Sequence, residues 1–282
     1  MKIAFVCFEE EQLGVEYLSA VLKSRSHKTK LFFEPSLFND SLLKIGFLSR
    51  LFSFKSIITK ELENFKPGLV CFSTISDYYV NACDLAKSIK KSINVPVVFG
   101  GIHPTSVPEE VIKNSFVDYV VVGEGEYALL DLISALEKNK DATSIANIWT
   151  KKNKRVIRNP VRPLIENLDN LPFSDKELFY EKAPFLASRY TTVTSRGCPF
   201  RCTYCNNSYL QKLYSGSKYF RRRSVDNVIE ELKLAKKKYK PRWIIFHDET
   251  FTINTNWLKE FAYKYRKEIF FLHRIINFIY YE

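Results

Sequence analysis

No stretch of this sequence approaches the ~18 uninterrupted apolar residues that a membrane-spanning helix needs. Its start, MKIAFVCFEE, runs straight into a strand-like segment and lacks the basic, apolar and cleavage regions of a signal peptide. There is no internal repeat and no low-complexity tract. The six cysteines do not form the framework of a secreted disulfide domain, because three of them crowd into one loop. Cys7, Cys71 and Cys83 fall in expected strands and a helix, as small buried hydrophobes do. A cytoplasmic setting with reduced thiols is therefore expected. Basic residues outnumber acidic ones by 43 to 31, for a net charge of +12. The charges are spread along the chain, and Arg221–Arg223 and Lys236–Lys238 do not alternate with aromatics as a base-stacking surface does. Nucleic acid is not indicated as a partner. Leu42–Ile58, apolar but interrupted by Lys44, Arg50 and Lys55, fits both a helix lying on a membrane and an ordinary docking helix.

What is present suits a globular protein of two domains. Hydrophobic residues make up 46% and charged ones 26%, and 23 Phe with 16 Tyr supply a core. The first half alternates strands and helices. Strands are expected at Lys2–Phe8, Leu31–Phe33, Gly68–Phe72, Val95–Phe99 and Val117–Val122. Helices follow from Leu13, after Gly68–Phe72 with Tyr79, Ala82, Cys83, Ala86 and Ile89 on one side, and at Glu126–Lys138. Repeated strand–turn–helix units imply an α/β fold with a Rossmann-like, doubly wound parallel sheet, over residues 1–144. Ligands of such sheets bind at the carboxyl ends of the strands. From 145 to 189 the pattern dissolves among prolines and charges, and this reads as a connector. A second α/β region, 190–282, opens with the strand-like Tyr190–Thr194. Ser224 is placed to cap a helix, and Trp243–His247 reads as a buried strand.

The strongest chemical signal is S-R-G-C-P-F-R-C-T-Y-C-N-N at 195–207. Cys198, Cys202 and Cys205, spaced C-x3-C-x2-C on a short loop, can surround one metal centre. Arg196 and Arg201 beside them favour thiolate, the ligand form, and Gly197 allows a tight turn before the first cysteine. Structural zinc wants four ligands in a closed tetrahedron, yet no fourth cysteine or histidine lies near; His247 is the closest. A cubane iron–sulfur cluster can use three cysteines and leave one iron open.

C-x3-C-x-aromatic-C directly after a first strand resembles the cluster-binding loop of radical S-adenosylmethionine (SAM) enzymes. The resemblance implies a 4Fe-4S cluster on Cys198, Cys202 and Cys205, SAM chelated by its open iron, reductive cleavage of SAM, and an electron donor such as flavodoxin or ferredoxin. It places Tyr204 against the adenine. It also makes Asp248 and Glu249, in F-H-D-E-T-F (246–251), candidates for the methionine part of SAM. A solvated acidic turn remains the alternative for each. The first half resembles the cobalamin-binding domain that precedes the radical SAM domain in one large subfamily. The matching pieces are residues 11–23, S-T-I-S-D (73–77), G-G-I-H-P-T (100–105) and D-Y-V-V-V-G-E-G-E (118–126), with N-L-D-N-L-P-F-S-D (167–175) in the connector. Carried onto this sequence, the cobalamin candidates are Glu11, Gly14, Ser73, Thr74, Gly100, Gly101, His103, Gly123, Glu124 and Gly125. Many such domains present a cobalt-ligating histidine in D-x-H-x-x-G; here Glu11 stands at that position, a poor replacement for imidazole. His103, the one histidine in the other turns, is expected to orient its loop rather than to ligate cobalt.

Fewer than a hundred residues follow Tyr190, whereas a full (β/α)8 barrel takes about 250. The second region is thus expected to be the start of a partial barrel, and the chain to be truncated within it. Two functions follow. The first is a cobalamin-dependent radical SAM enzyme, with methyl transfer to a small-molecule or lipid-like substrate as one reaction. The second is a truncated, non-catalytic module that binds cobalamin or a cluster. A zinc-binding interaction protein is held in reserve.

Overall fold

A computed structural model describes residues 1–34 and 54–269, with the backbone of 275–277. The chain divides into two compact units, Met1–Arg162 and Pro163–Glu282.

The first unit is built on β1 (Lys2–Phe8), whose residues from Ile3 to Phe8 are all buried. A strand this apolar on both faces must be covered by helices on both sides, which is the condition of an inner parallel strand. It pairs in parallel with β2 (Lys28–Glu34) along its full length and with β3 (Leu69–Ser73) on the other side. The sheet continues through β4 (Val97–Gly100) and β5 (Tyr119–Val121), both parallel. The order β2-β1-β3-β4-β5 reverses direction at β1, so the crevice of the sheet opens where β1 and β3 end. Helices Leu13–Ser24, Lys55–Phe65 and Ser76–Ser92 make crossovers, two short helical turns, Ile102–Ser106 and Pro108–Ile112, lie between β4 and β5, and helix Glu126–Glu137 follows β5. β2 is longer than the expected Leu31–Phe33 because Lys28–Lys30, polar in sequence, pair with the edge of β1. Of the Leu42–Ile58 segment, residues up to 53 lie outside the described residues, and Lys55 onward belongs to helix Lys55–Phe65. Among the described residues, no helix is long and apolar enough to cross a membrane.

Two further strands lie in the stretch read from sequence as connector. β6 (Ile148–Lys152) pairs antiparallel with β5, and β7 (Arg155–Arg158) pairs antiparallel with β6. Their connection, Asn153-Lys154, has positive φ at both residues (52° and 64°), the backbone of a tight two-residue hairpin. The signal was missed because this turn carries lysine where glycine usually follows asparagine. The strands are also charged, as exposed edges of sheets tend to be. The first unit consequently reaches Arg162, whose Nε and backbone N–H donate to Oδ1 of the fully buried Asn147.

Cys7 and Cys71 lie on neighbouring strands β1 and β3. Burial pushes both thiols far above their ordinary range. A raised folded-state pKa leaves stability intact below the unfolded value of about 8.5 and removes it above. The unfolding free energy is therefore expected to fall as pH rises from 8 to 9.5, by up to about 1.4 kcal/mol per pH unit for each thiol. Denaturant titrations of wild type and Cys7→Ala/Cys71→Ala check this; equal slopes would refute it.

In the second unit β8 (Arg189–Thr192) and β12 (Ile275–Asn277) flank β11 (Trp243–Phe246), all parallel. A separate two-residue ribbon pairs β9 (Ser195–Arg196) with β10 (Arg221–Arg222). Helix Val225–Lys238 begins at Ser224, whose Oγ accepts from the Asn227 N–H at 3.1 Å, the cap expected from sequence. Its buried face of Val225, Val228, Ile229, Leu232 and Ala235 packs with Tyr190, Ile244 and Phe246. Glu231 on the same helix is buried and accepts from Tyr190 Oη, Thr192 Oγ1 and Arg223. Such a pair adds little over apolar packing, but losing one partner costs about 3–5 kcal/mol. It fixes the end of β8, from which the cysteine loop departs. The parallel three-stranded sheet, with helices Asn206–Leu213 and Val225–Lys238 between β8 and β11 and helix Thr255–Lys264 after β11, is the opening of a β/α barrel.

Candidate functional sites

The cysteine loop of the second unit leaves β9 through Gly197, at φ +78°. A side chain there would bring its Cβ within 2.5 Å of the Tyr219 carbonyl oxygen and 3.0 Å of the Tyr219 ring. Only glycine allows this approach. The loop is closed by the helix that follows it, Asn206–Leu213. Gln211 Nε2 donates to the carbonyls of Cys198 (2.9 Å) and Phe200 (2.7 Å), and Ser208 Oγ donates to that of Cys202 (2.7 Å). Cys198 is buried, Cys205 half-buried and Cys202 exposed. Burial raises the Cys198 thiol, Glu249 and the other two cysteines add to this, and a backbone hydrogen bond at Phe200 opposes it. Arg201 Nε donates to Gln211 Oε1 at 3.1 Å, which ties the middle of the loop to the same helix. Among the described residues, no three His, Cys, Asp or Glu side chains are grouped so as to hold a single metal ion.

The two acidic candidates after β11 part company. Asp248 is 5% exposed. Its carboxylate accepts from Thr194 N–H (2.9 and 3.1 Å), Thr194 Oγ1 (2.6 Å) and Ser195 Oγ. It is turned inward onto the residues leading into the cysteine loop, so its contacts are those of an anchor and not of an open ligand site. Glu249 is exposed and receives Asn207 Nδ2 at 3.0 Å. Tyr204 is 77% exposed on the loop. Arg222, from β10, donates through Nη2 to the carbonyls of Thr250 and Phe251 and so ties down the turn carrying Glu249. Thr194, Ser195, Asn207, Tyr219 and Arg222 were not singled out from sequence. Their one signal was position, adjacent to the loop or in the basic run read as surface.

In the first unit the candidates gather at the carboxyl ends of β3 and β4. Thr74 N–H donates to the Gly100 carbonyl (2.9 Å), and His103 N–H to the Thr74 carbonyl (3.1 Å). Gly101 adopts φ +97°, and a Cβ there would fall 2.8 Å from the Thr74 oxygen and 3.2 Å from Ser73 Oγ. His103 Nδ1 is 3.0 Å from Ser76 Oγ, and its ring lies 4.0 Å from that of Tyr79. Burial lowers its pKa, favouring neutral imidazole. Thr74 Oγ1 and His103 Nε2 are buried and have no hydrogen-bond partner. Gly123 N–H donates to Thr105 Oγ1 (3.0 Å), which brings the β5 turn with Glu124 and Gly125 to the β4 turn. Glu11 lies in the turn after β1, and Gly14 in the first turn of helix Leu13–Ser24, with open space where a Cβ would be. Gly101→Ala is expected to cost about 1–3 kcal/mol of stability, whereas Gly14→Ala costs nothing. Urea denaturation of the two variants distinguishes them; equal midpoints would contradict the geometry.

Comparison with known proteins agrees with this division. The B12 binding domain model matches residues 3–133, and the Radical SAM superfamily model matches residues 192–279. The chain is 34% identical over 251 residues to the uncharacterized methyltransferase PH0819 of Pyrococcus horikoshii, covering 86% of this chain and 49% of that protein. It is 26% identical over 258 residues to the anaerobic magnesium-protoporphyrin IX monomethyl ester cyclase of Rubrivivax gelatinosus, covering 88% and 43%. The chain thus spans about half the length of these relatives. Its fold is similar to part of that of OxsB, a cobalamin-dependent S-adenosylmethionine radical enzyme, with a TM-score of 0.73 at 20% identity over 98% of this chain and 38% of that one. The chain thus carries a B12 binding domain followed by a Radical SAM superfamily domain.

Proposed function

We propose that the chain acts as a cobalamin-dependent radical SAM enzyme that transfers a methyl group to a small-molecule or lipid-like substrate. The observation that carries this reading is the C-x3-C-x2-C loop at the carboxyl end of the first barrel strand, closed by Gln211 and Gly197. The relatives named methyltransferases favour methyl transfer, and the Rubrivivax cyclase keeps ring closure as a second reading.

The residues fit the groups that the reading requires. Three cysteines are fewer than a closed zinc site needs, and each thiolate of a cubane binds a separate iron, so the three need not converge on one point. In the first unit, the cradle at Gly101 and the unpartnered Thr74 Oγ1 and His103 Nε2 are features of a site that accepts a ligand at the sheet's edge. With both groups bound, the cluster supplies the electron that cleaves SAM and the cobalamin carries the methyl group. Cys198, Cys202 and Cys205 would hold the cluster, and Tyr204 would meet the adenine. Glu249 would accept from the SAM amino group, while Asp248 anchors the residues leading into the loop. Ser73, Thr74, Gly101 and His103 would line the cobalamin side, with Gly100, Gly123, Glu124 and Gly125 shaping the neighbouring turns. The stretch after β1 holds Glu11 and Gly14 and no histidine, so these residues would border the cobalamin without supplying an imidazole. A flavodoxin or ferredoxin is the electron donor, and a reducing cytoplasm the setting.

The test is anaerobic reconstitution with iron, sulfide and cobalamin, followed by SAM and a reductant. Formation of 5′-deoxyadenosine or S-adenosylhomocysteine supports the reading. A protein that takes up no iron, or takes up cobalamin but never turns over SAM, would favour the non-catalytic module.

A further inference from the structure

Asn207, two residues beyond the last cysteine, is 7% exposed and joins three groups. Its Oδ1 accepts from Tyr219 Oη at 2.8 Å. Its Nδ2 donates to Glu249 Oε2 at 3.0 Å and lies 3.5 Å from Cys205 Sγ. Asparagine has an acceptor end and a donor end, and the surroundings decide which way it points. The reverse orientation would set the amide oxygen against a carboxylate and a sulfur, both acceptors. Tyr219 Oη, which can donate, then satisfies the oxygen. Tyr219 itself is held in place because its carbonyl and ring edge fill the space beside Gly197. A chain of contacts therefore runs from the glycine before the first cysteine to the sulfur of the third.

We propose that Asn207 is a positioning residue that donates an N–H···S hydrogen bond to the Cys205 thiolate and raises the reduction potential of the cluster, with Tyr219 orienting the amide. This rests on the cluster assignment made above. Adding an electron increases the negative charge on the cluster and its sulfurs, so a donor at a ligand sulfur stabilises the reduced form more than the oxidised one. The same amide holds Glu249 at the rim of the site, so one side chain serves both the cluster and the carboxylate proposed for SAM.

The experiment is an anaerobic redox titration of the reconstituted full chain, followed by electron paramagnetic resonance with iron and sulfide content measured in parallel. Asn207→Leu keeps the volume and removes the donor; Tyr219→Phe removes one hydroxyl and leaves the amide free to turn. At the potential where half of the wild-type cluster is reduced, the ratio of reduced to oxidised cluster is expected to fall about fivefold in Asn207→Leu and about twofold in Tyr219→Phe, at equal iron content. An unchanged ratio in both variants overturns the proposal and leaves Asn207 a purely structural residue. Should Asn207→Leu fail to hold iron, Tyr219→Phe decides: an unchanged ratio there overturns it. A wild-type protein without iron overturns the cluster reading instead, and is told apart by its own iron content.

Discussion

Replacing Cys198, Cys202 and Cys205 together by alanine is expected to abolish iron and sulfide uptake while leaving the fold in place. The loop does not depend on its thiols for shape. Gln211 and Ser208 hold its carbonyls, and Gly197 sets its entry. Far-ultraviolet circular dichroism and the urea midpoint should therefore match the wild type. The wild type should show the broad visible absorption of an iron–sulfur protein after reconstitution, and the variant should be colourless. Cys83→Ala, in helix Ser76–Ser92 of the first unit, is the control and should retain full iron. Iron bound to the triple variant at the wild-type ratio would sink the assignment. Stoichiometric zinc in place of iron would point to the interaction protein.

Asp248→Ala should be the most destabilising single change near the loop, at about 3–5 kcal/mol. It leaves the Thr194 N–H, the Thr194 hydroxyl and the Ser195 hydroxyl buried without their acceptor, each worth about 1–3 kcal/mol and not fully additive. Asp248→Asn preserves the shape but presents a donor to donors on one side, so a loss of about 1–3 kcal/mol is expected. Iron uptake should fall in both, since Thr194 and Ser195 lead directly into the cysteine loop. Glu249→Ala, on an exposed side chain, should change stability by no more than about 0.5 kcal/mol. Denaturant unfolding of the three variants is the measurement. A loss for Asp248→Ala no larger than that for Glu249→Ala would show that the carboxylate does not anchor the loop.

The contrast between these two adjacent carboxylates shows where reading the sequence stops. Apolar runs of strand length, three of them followed by a helical repeat, were enough to place the five parallel strands of the first unit. Hydrophobic periodicity records burial directly, and a strand covered on both faces leaves no other pattern. Ser224 was legible as a cap because capping is local chemistry. The cysteine spacing was legible because three ligands on one short loop need no distant partner.

The β6–β7 hairpin was hidden, since charged edge strands with a lysine in the turn carry no apolar signature. Nor could the acidic pair after β11 be told apart: consecutive residues at a strand end face opposite ways, and which one faces inward depends on the chain packed alongside. Here that chain is Thr194-Ser195, more than fifty positions away. Asn207 and Tyr219 meet for the same reason, through a turn that only the bare backbone of Gly197 permits. Residue types and their local spacing thus set the strands, the cap and the ligand loop. The directions of the buried polar side chains were set by pairings between distant segments, because a hydrogen bond needs its partner within about 3 Å and sequence separation carries no record of that distance.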